Sequence, residues 1–120
     1  MGVLSPQPRK DINGKQIVPK EILKVATTLQ SPALKDQDLP QNAFLWFVKD
    51  LPAKKTEIGA SVPKGSYQIL GYTGVTLLVI PDENLVAVRK FNSFGSPEGY
   101  DYLSDVRSFG DTVMNCLQNR

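Results

Sequence analysis

Three short stretches of this chain are apolar on both faces, and that feature limits its folding most. Residues 43–48 read Ala43-Phe44-Leu45-Trp46-Phe47-Val48, residues 75–80 read Val75-Thr76-Leu77-Leu78-Val79-Ile80, and Leu85-Val86-Ala87-Val88 runs up to Arg89. A strand that alternates polar and apolar residues can leave one side of its sheet in water, whereas strands like these want cover on both sides. The chain has 120 residues, enough for one small domain spanning 1–120. Two short helices can cover one face of three strands but hardly both. Burial contributes about 25 cal/mol per Å² of apolar surface, so an open face forfeits several kcal/mol, comparable with the net stability of a small domain. Either the chain self-associates or another piece supplies the cover.

The rest of the chain punctuates those strands. Residues 1–18 contain two prolines and the Asn13-Gly14 turn dipeptide and read as an extended lead-in with a turn. Pro19 suits a first helical position and Glu21 a first turn, and Ile22, Val25, Ala26 and Leu29 follow at helical spacing. A helix is predicted over about 19–29, ended by Ser31-Pro32. Residues 30–42 and 50–65 read as loops, and Ser66 to Leu70 as extended. Pro81-Asp82-Glu83-Asn84 supplies the turn of a hairpin between 75–80 and 85–89. Residues 91–101 form a Gly/Ser/Pro loop, and Ser104 is placed to cap a last helix over about 105–118 with Asp105 in its first turn. The expected fold class is α/β in the α+β sense: an antiparallel sheet of about three strands with N- and C-terminal helices.

Composition excludes several chemistries. Charged residues are 22% and hydrophobic residues 41%, an ordinary globular balance that argues against disorder. No stretch approaches the roughly 20 apolar residues of a membrane span, and Met1 to Lys10 lacks an apolar run of signal-peptide type, so the sequence assigns no compartment. Net charge is +2 and the basic residues are scattered apart from Lys54-Lys55, so nucleic acid is not an expected partner. The absence of histidine removes Ser-His-Asp and Cys-His catalysis and His-ligated metal sites. Metal-ligand spacing and Gly-rich phosphate loops are absent too, so neither a metal nor an organic cofactor is expected. Single Cys116 allows no internal disulfide. With Val106, Phe109, Val113 and Leu117 at helical spacing, it reads as a small core hydrophobe.

Ser61-Val62-Pro63-Lys64 matches Ser-x-x-Lys literally. That chemistry needs the serine at a helix start with lysine one turn on, and Pro63 and Gly65 favour a turn instead. Tyr102-Leu103-Ser104 matches Tyr-x-Ser but reads as a helix start. Asp82 and Glu83 sit on a turn tip, Asp36 and Asp38 on a loop, and all four read as solvated surface. Gly71-Tyr72-Thr73-Gly74 taken alone means a bend or a close backbone approach.

The order of these pieces carries a resemblance. Asn13-Gly14-Lys15-Gln16-Ile17-Val18-Pro19-Lys20-Glu21, then Thr27-Thr28, then Ala43-Phe44-Leu45-Trp46-Phe47, then Gly71-Tyr72-Thr73-Gly74, then the hairpin from Leu78 to Arg89, then a C-terminal helix, run in sequence from about residue 11 onward. Together they resemble roughly the last third of serine β-lactamase and penicillin-binding-protein-like hydrolases of the class C type, a family of transpeptidases, esterases and β-lactamases. The resemblance implies a partial β-lactamase/transpeptidase-like fold, with Met1 to Lys10 as a junction or disordered lead. It also implies that Gly71 to Gly74 is the third active-site motif, on an edge strand beside the nucleophile. Tyr72 stands where the family has lysine or histidine, which argues against β-lactam carboxylate binding. On the same resemblance Thr73 would hydrogen-bond substrate, Gly74 would let backbone approach, and the Val75 N–H would form half of an oxyanion hole.

The other half, the nucleophile's own N–H, has no counterpart in this chain. The expectation is therefore a C-terminal fragment or subunit of a hydrolase acting by an acyl-serine route on β-lactam, ester or peptide bonds, inactive alone. Its partner would be the missing N-terminal part, or a second copy. The alternatives are a non-catalytic binding module on the same scaffold and, more remotely, a small enzyme built on Ser61 and Lys64.

Overall fold

In the computed structural model the described residues are 13–31, 41–50, 57–71, 74–90 and 98–119. The elements are α1 (Lys20–Ala26), β1 (Asn42–Ala43), β2 (Trp46–Val48), β3 (Tyr67–Leu70), β4 (Thr76–Ile80), β5 (Leu85–Arg89) and α2 (Tyr102–Gln118). The five strands form one antiparallel sheet in the order β1-β2-β3-β4-β5, an α+β arrangement in which each strand pairs with its sequence neighbour. The expectation of about three strands is corrected to five. Part of the difference lies in residues 43–48, which do not run on as one strand. Phe44, at φ 41°, turns the chain back on itself, so β1 and β2 form a tight hairpin with Phe44 and Leu45 at its exposed tip. Trp46 then packs edge-on against Tyr67, centroids 5.0 Å apart, which ties β2 to β3.

Register divides the sheet into two faces. Leu78 pairs with Ala87 and Gln68, and Ile80 pairs with Leu85, so these side chains share one side. Leu78 and Ile80 are fully buried there against Ile58, Val62 and Met114, with Leu85, Ala87, Phe109, Val113 and Leu117 packed round them. The cover thus comes from α2 and from the 57–62 loop between sheet and helix. On the opposite side Val86 and Val88 of β5 are 56% and 57% exposed, and Ile69 of β3 is 38% exposed. Helix α1 has no buried residue and leaves Ile22 and Val25 exposed. Exposure on that side of the sheet is uneven: Val79 of β4, which pairs with Val86, is buried at 6%.

Three local expectations are corrected. Helix α1 is shorter than 19–29: Thr27 and Thr28 turn their hydroxyls back to the Leu23 and Lys24 carbonyls and end the helix there. The cap of α2 is Asp101, not Ser104. The Asp101 carboxylate accepts the Ser104 N–H at 3.2 Å, which makes Tyr102-Leu103-Ser104 the first turn of the helix. Cys116 is exposed rather than in the core. The buried stripe of α2 runs Val106, Gly110, Met114, and Cys116 lies about 200° round the helix from Met114. Residues 1–12, Lys54-Lys55, Asp36 and Asp38 lie outside the described residues.

The hairpin turn behaves as its residues dictate. Pro81–Glu83 makes a single 3-10 turn, closed by Asn84 at φ 50° with its N–H on the Pro81 carbonyl. The tightest packing is elsewhere, where the 57–62 loop crosses α2. A Cβ on Gly110 would sit 2.9 Å from the Gly59 nitrogen, and one on Gly59 would sit 2.6 Å from the Asp111 nitrogen.

Gly110→Ala tests that crossing. Alanine would gain about 1 kcal/mol in an open helix interior, but here it must push backbone aside. The expected net result is a loss of about 1–3 kcal/mol, read as a lower urea midpoint. Cys116 in the native protein is expected to react with a water-soluble maleimide at nearly the rate of the unfolded chain.

Candidate functional site

The segment that sequence singled out, Gly71 to Val75, connects β3 to β4. Tyr72 and Thr73 lie outside the described residues, while Gly71, Gly74 and Val75 lie within them. The Gly71 N–H donates to the Val75 carbonyl at 2.7 Å, one residue beyond the Leu70–Thr76 pair, so the segment closes the β3–β4 hairpin. The expected edge-strand position is therefore corrected: both flanking strands are paired on each side, because β5 folds back against β4.

Gly74 is held in a polar clamp. Its φ is +78°, a region that favours glycine, and a Cβ there would lie 2.8 Å from Tyr100 Oη, 3.0 Å from Arg89 Nη2 and 3.1 Å from Asp105 Oδ2. Arg89, at the end of β5, donates from Nε to the Gly74 carbonyl at 3.0 Å. Its two terminal nitrogens donate to the two Asp105 oxygens at 3.1 and 2.5 Å, a fork-on-fork pair. Tyr100 Oη donates to Asp105 Oδ2 at 2.6 Å, and the guanidinium lies 5.0 Å from the Phe109 ring centroid. Partial burial pushes the Asp105 carboxyl up, but the Tyr100 and Arg89 hydrogen bonds and the Arg89 charge together hold it below the usual carboxylate range. The hydrogen bond to that carboxylate raises the Tyr100 phenol.

Ser61 and Lys64 do not meet. Ser61 is exposed in a turn. Its hydroxyl and N–H both donate to Asp111 Oδ1 of α2, at 2.6 and 2.8 Å, while Lys64 pairs with Asp50 at 3.4 Å. The lysine near this turn is Lys49, whose ammonium donates to the Gly59 and Ala60 carbonyls at 2.6 and 2.8 Å. Burial lowers the Lys49 pKa, with Asp111 opposing. Asp111 thus serves as an anchor for the 57–62 loop. The acceptor of the Ser61 hydroxyl is the Asp111 carboxylate, which the Ser61 and Ala60 hydrogen bonds and the Lys49 charge hold below the usual range despite partial burial, so it is a weak base toward that hydroxyl.

A second polar group lies inside the covered face. Glu57 is 7% exposed, and burial pushes its carboxyl above the ordinary range. Its carbonyl accepts from Gln68 Nε2 at 3.0 Å, while Gln68 Oε1, Ser66 Oγ and Thr76 Oγ1 are buried without a partner. Among the described residues no cluster of His, Cys, Asp and Glu could hold a metal ion, and no helix is long and apolar enough to cross a membrane.

Sequence reasoning missed Arg89, Tyr100 and Asp105 as neighbours of Gly74. Asp105 was visible only as a first-turn acid and Arg89 only as a strand end. Their meeting depends on α2 lying across the end of the β4–β5 hairpin.

No protein-family model matches the chain, and no solved structure matches it. An uncharacterized protein of Alkalihalophilus pseudofirmus is 67% identical to it over 106 residues, which are 88% of this chain and 32% of that protein. The chain thus spans about a third of the length of the relative it matches.

The two clusters respond oppositely to pH. A depressed carboxyl such as Asp105 or Asp111 contributes stability above its unfolded pKa of about 3.9 and loses it as pH falls through the folded value. Glu57, raised, contributes below its unfolded value and loses it as pH rises through the folded value. In urea unfolding from pH 2 to 7, Asp105→Asn is expected to lower stability at pH 7 and to flatten the acid limb. Glu57→Gln is expected to raise stability at pH 7 and leave pH 2 unchanged.

Proposed function

We propose that this chain is the C-terminal part, or a separately made subunit, of a β-lactamase-like serine hydrolase, inactive until joined to the part that carries the nucleophile. The observation that carries the reading is the exposure of Val86, Val88 and Ile69 on the outer side of the sheet. Such a surface belongs against another layer of protein. A match to about a third of a longer relative fits that need. The order of motifs in the sequence supports the family: the Asn13-Gly14 pair, the aromatic stretch at 43–47, Gly71 to Gly74, the Leu78 to Arg89 stretch and the C-terminal helix follow as in class C-type hydrolases.

On this reading the Gly71 to Val75 turn borders the acyl-transfer site. Thr73 hydrogen-bonds substrate, and the Val75 N–H faces the oxygen on which negative charge develops. Tyr72 in place of a cation favours neutral esters and amides over a carboxylate-bearing β-lactam. The missing part supplies the serine, its base and the second oxyanion donor. A non-catalytic binding module is the second reading, favoured by the clamp that holds Gly74 through Arg89 and Asp105.

Turnover of nitrocefin and of p-nitrophenyl esters separates these readings. The isolated chain is expected to give none above background. The chain joined to the remainder of the longer relative is expected to hydrolyse the ester. Turnover by the isolated chain that disappears in Ser61→Ala would overturn the proposal, and a joined protein that folds but is inert favours the binding module. The isolated chain is also expected to unfold in urea at a midpoint that rises with protein concentration, as its open face finds a second copy.

A further inference from the structure

We infer that the covered face of the sheet contains an internal water-binding site between Gln68 of β3 and Thr76 of β4. The inference stands apart from the hydrolase reading. Both residues are enclosed, at 0% and 1% exposure. Register brings them together. Gln68 pairs with Leu78 and Leu70 with Thr76, so Gln68 and Thr76 share a face as diagonal neighbours, roughly 7–8 Å apart at the backbone. The Gln68 amide is already committed on one side, since Nε2 donates to the Glu57 carbonyl at 3.0 Å. Exchanging the amide's two ends would set oxygen against that carbonyl, so Oε1 has to be the end that faces elsewhere. Gln68 Oε1 and Thr76 Oγ1 are buried and neither has a protein partner. Ser66 Oγ, two residues before Gln68 and in a residue 1% exposed, is in the same condition.

The chemistry of these atoms selects the occupant. The Gln68 oxygen can only accept, while the Thr76 hydroxyl has a proton to donate and lone pairs to offer. A guest that serves both must donate to the amide oxygen and also accept the hydroxyl proton. A metal cation carries no acceptor, and a simple anion carries no donor. Water does both, and it is small enough for a place where the lining residues are wholly enclosed. Buried waters ordinarily bond to polar groups of this kind, which would otherwise forfeit the hydrogen bonds they make in the unfolded chain. A water here joins β3 to β4 through side chains on the covered face. Through the Gln68 amide the link continues to the Glu57 carbonyl, next to Ile58 of the core. The site therefore fastens the start of the 57–62 loop to the middle of the sheet.

Oxygen-17 relaxation dispersion of the water signal tests this. It registers waters that stay inside the protein longer than the protein takes to tumble, and exchange of hydroxyl protons does not imitate them. The wild-type chain is expected to show such a water. Thr76→Val is expected to lose the contribution of about one water, and Thr76→Ser, which keeps the hydroxyl, to retain it. Urea unfolding of Thr76→Val adds a sign. If the hydroxyl had no partner of any kind, valine of the same shape would remove a stranded polar group and raise the midpoint. With a water bound, valine takes away one of its hydrogen bonds, and the midpoint is expected to fall. A crystal structure of the wild-type chain that resolves ordered waters needs no variant to fold. It is expected to place a water within about 3.2 Å of both Gln68 Oε1 and Thr76 Oγ1. Undiminished dispersion or a raised midpoint in a folded Thr76→Val, or a crystal structure with no water between the two oxygens, overturns the inference.

Discussion

The backbone of the 57–62 loop lies directly on α2 at Gly110, and most of the structure depends on that contact. With no Cβ on either Gly59 or Gly110 the loop can pass beneath the helix and insert Ile58 and Val62 beside Leu78 and Ile80. A bulkier pair would lift α2 away from the strands and open the core. The same approach lets Asp111 take two donors from Ser61 and brings Lys49 onto the loop carbonyls. With α2 fixed at its middle, its first turn falls beside the end of β5. There Asp105 can meet Arg89.

The site and the core are thus one mechanical unit. The carboxylate of Asp105 is held by groups from β5 and from the segment before α2, and its partner Arg89 reaches on to the Gly74 carbonyl. The pair is partly buried, with side-chain exposures of 19% and 26%, and its polar atoms are matched on both sides. That suits a geometric role better than a large net gain in stability, since desolvation offsets much of what such a pair contributes. The buried oxygens of Ser66, Gln68 and Thr76 contrast with it: they lie on the covered face with no partner among the described residues. The physical difference is that one cluster carries complementary charges and the other does not.

Much of the scaffold was legible in the chain. Strand β3, the β4–β5 hairpin with its Pro81 to Asn84 turn, and a C-terminal helix follow from period, turn chemistry and capping residues, all of them local signals. The run at 43–48 was misread because composition cannot distinguish a continuous apolar strand from two short strands joined at a turn. The turn rests on Phe44 at positive φ, a conformation that side chain does not announce. Cys116 was misread because spacing from Phe109 and Val113 groups it with these partly buried residues, whereas the fully buried line of α2 runs Val106, Gly110, Met114 on another side of the helix.

By itself the sequence showed that the strands are apolar on both faces, because that needs only the strand pattern, and among the described residues the outer side of β5 is exposed at Val86 and Val88. It also marked Gly71 to Gly74 as a bend or a close backbone approach, and at Gly74 the structure shows a close approach. Which groups approach it was decided only by tertiary structure. Arg89, Tyr100 and Asp105 reach Gly74 because sheet register and the lie of α2 bring the ends of β4, β5 and α2 together. Hydrogen-bond partners drawn from separate elements leave no periodicity in the chain that joins them.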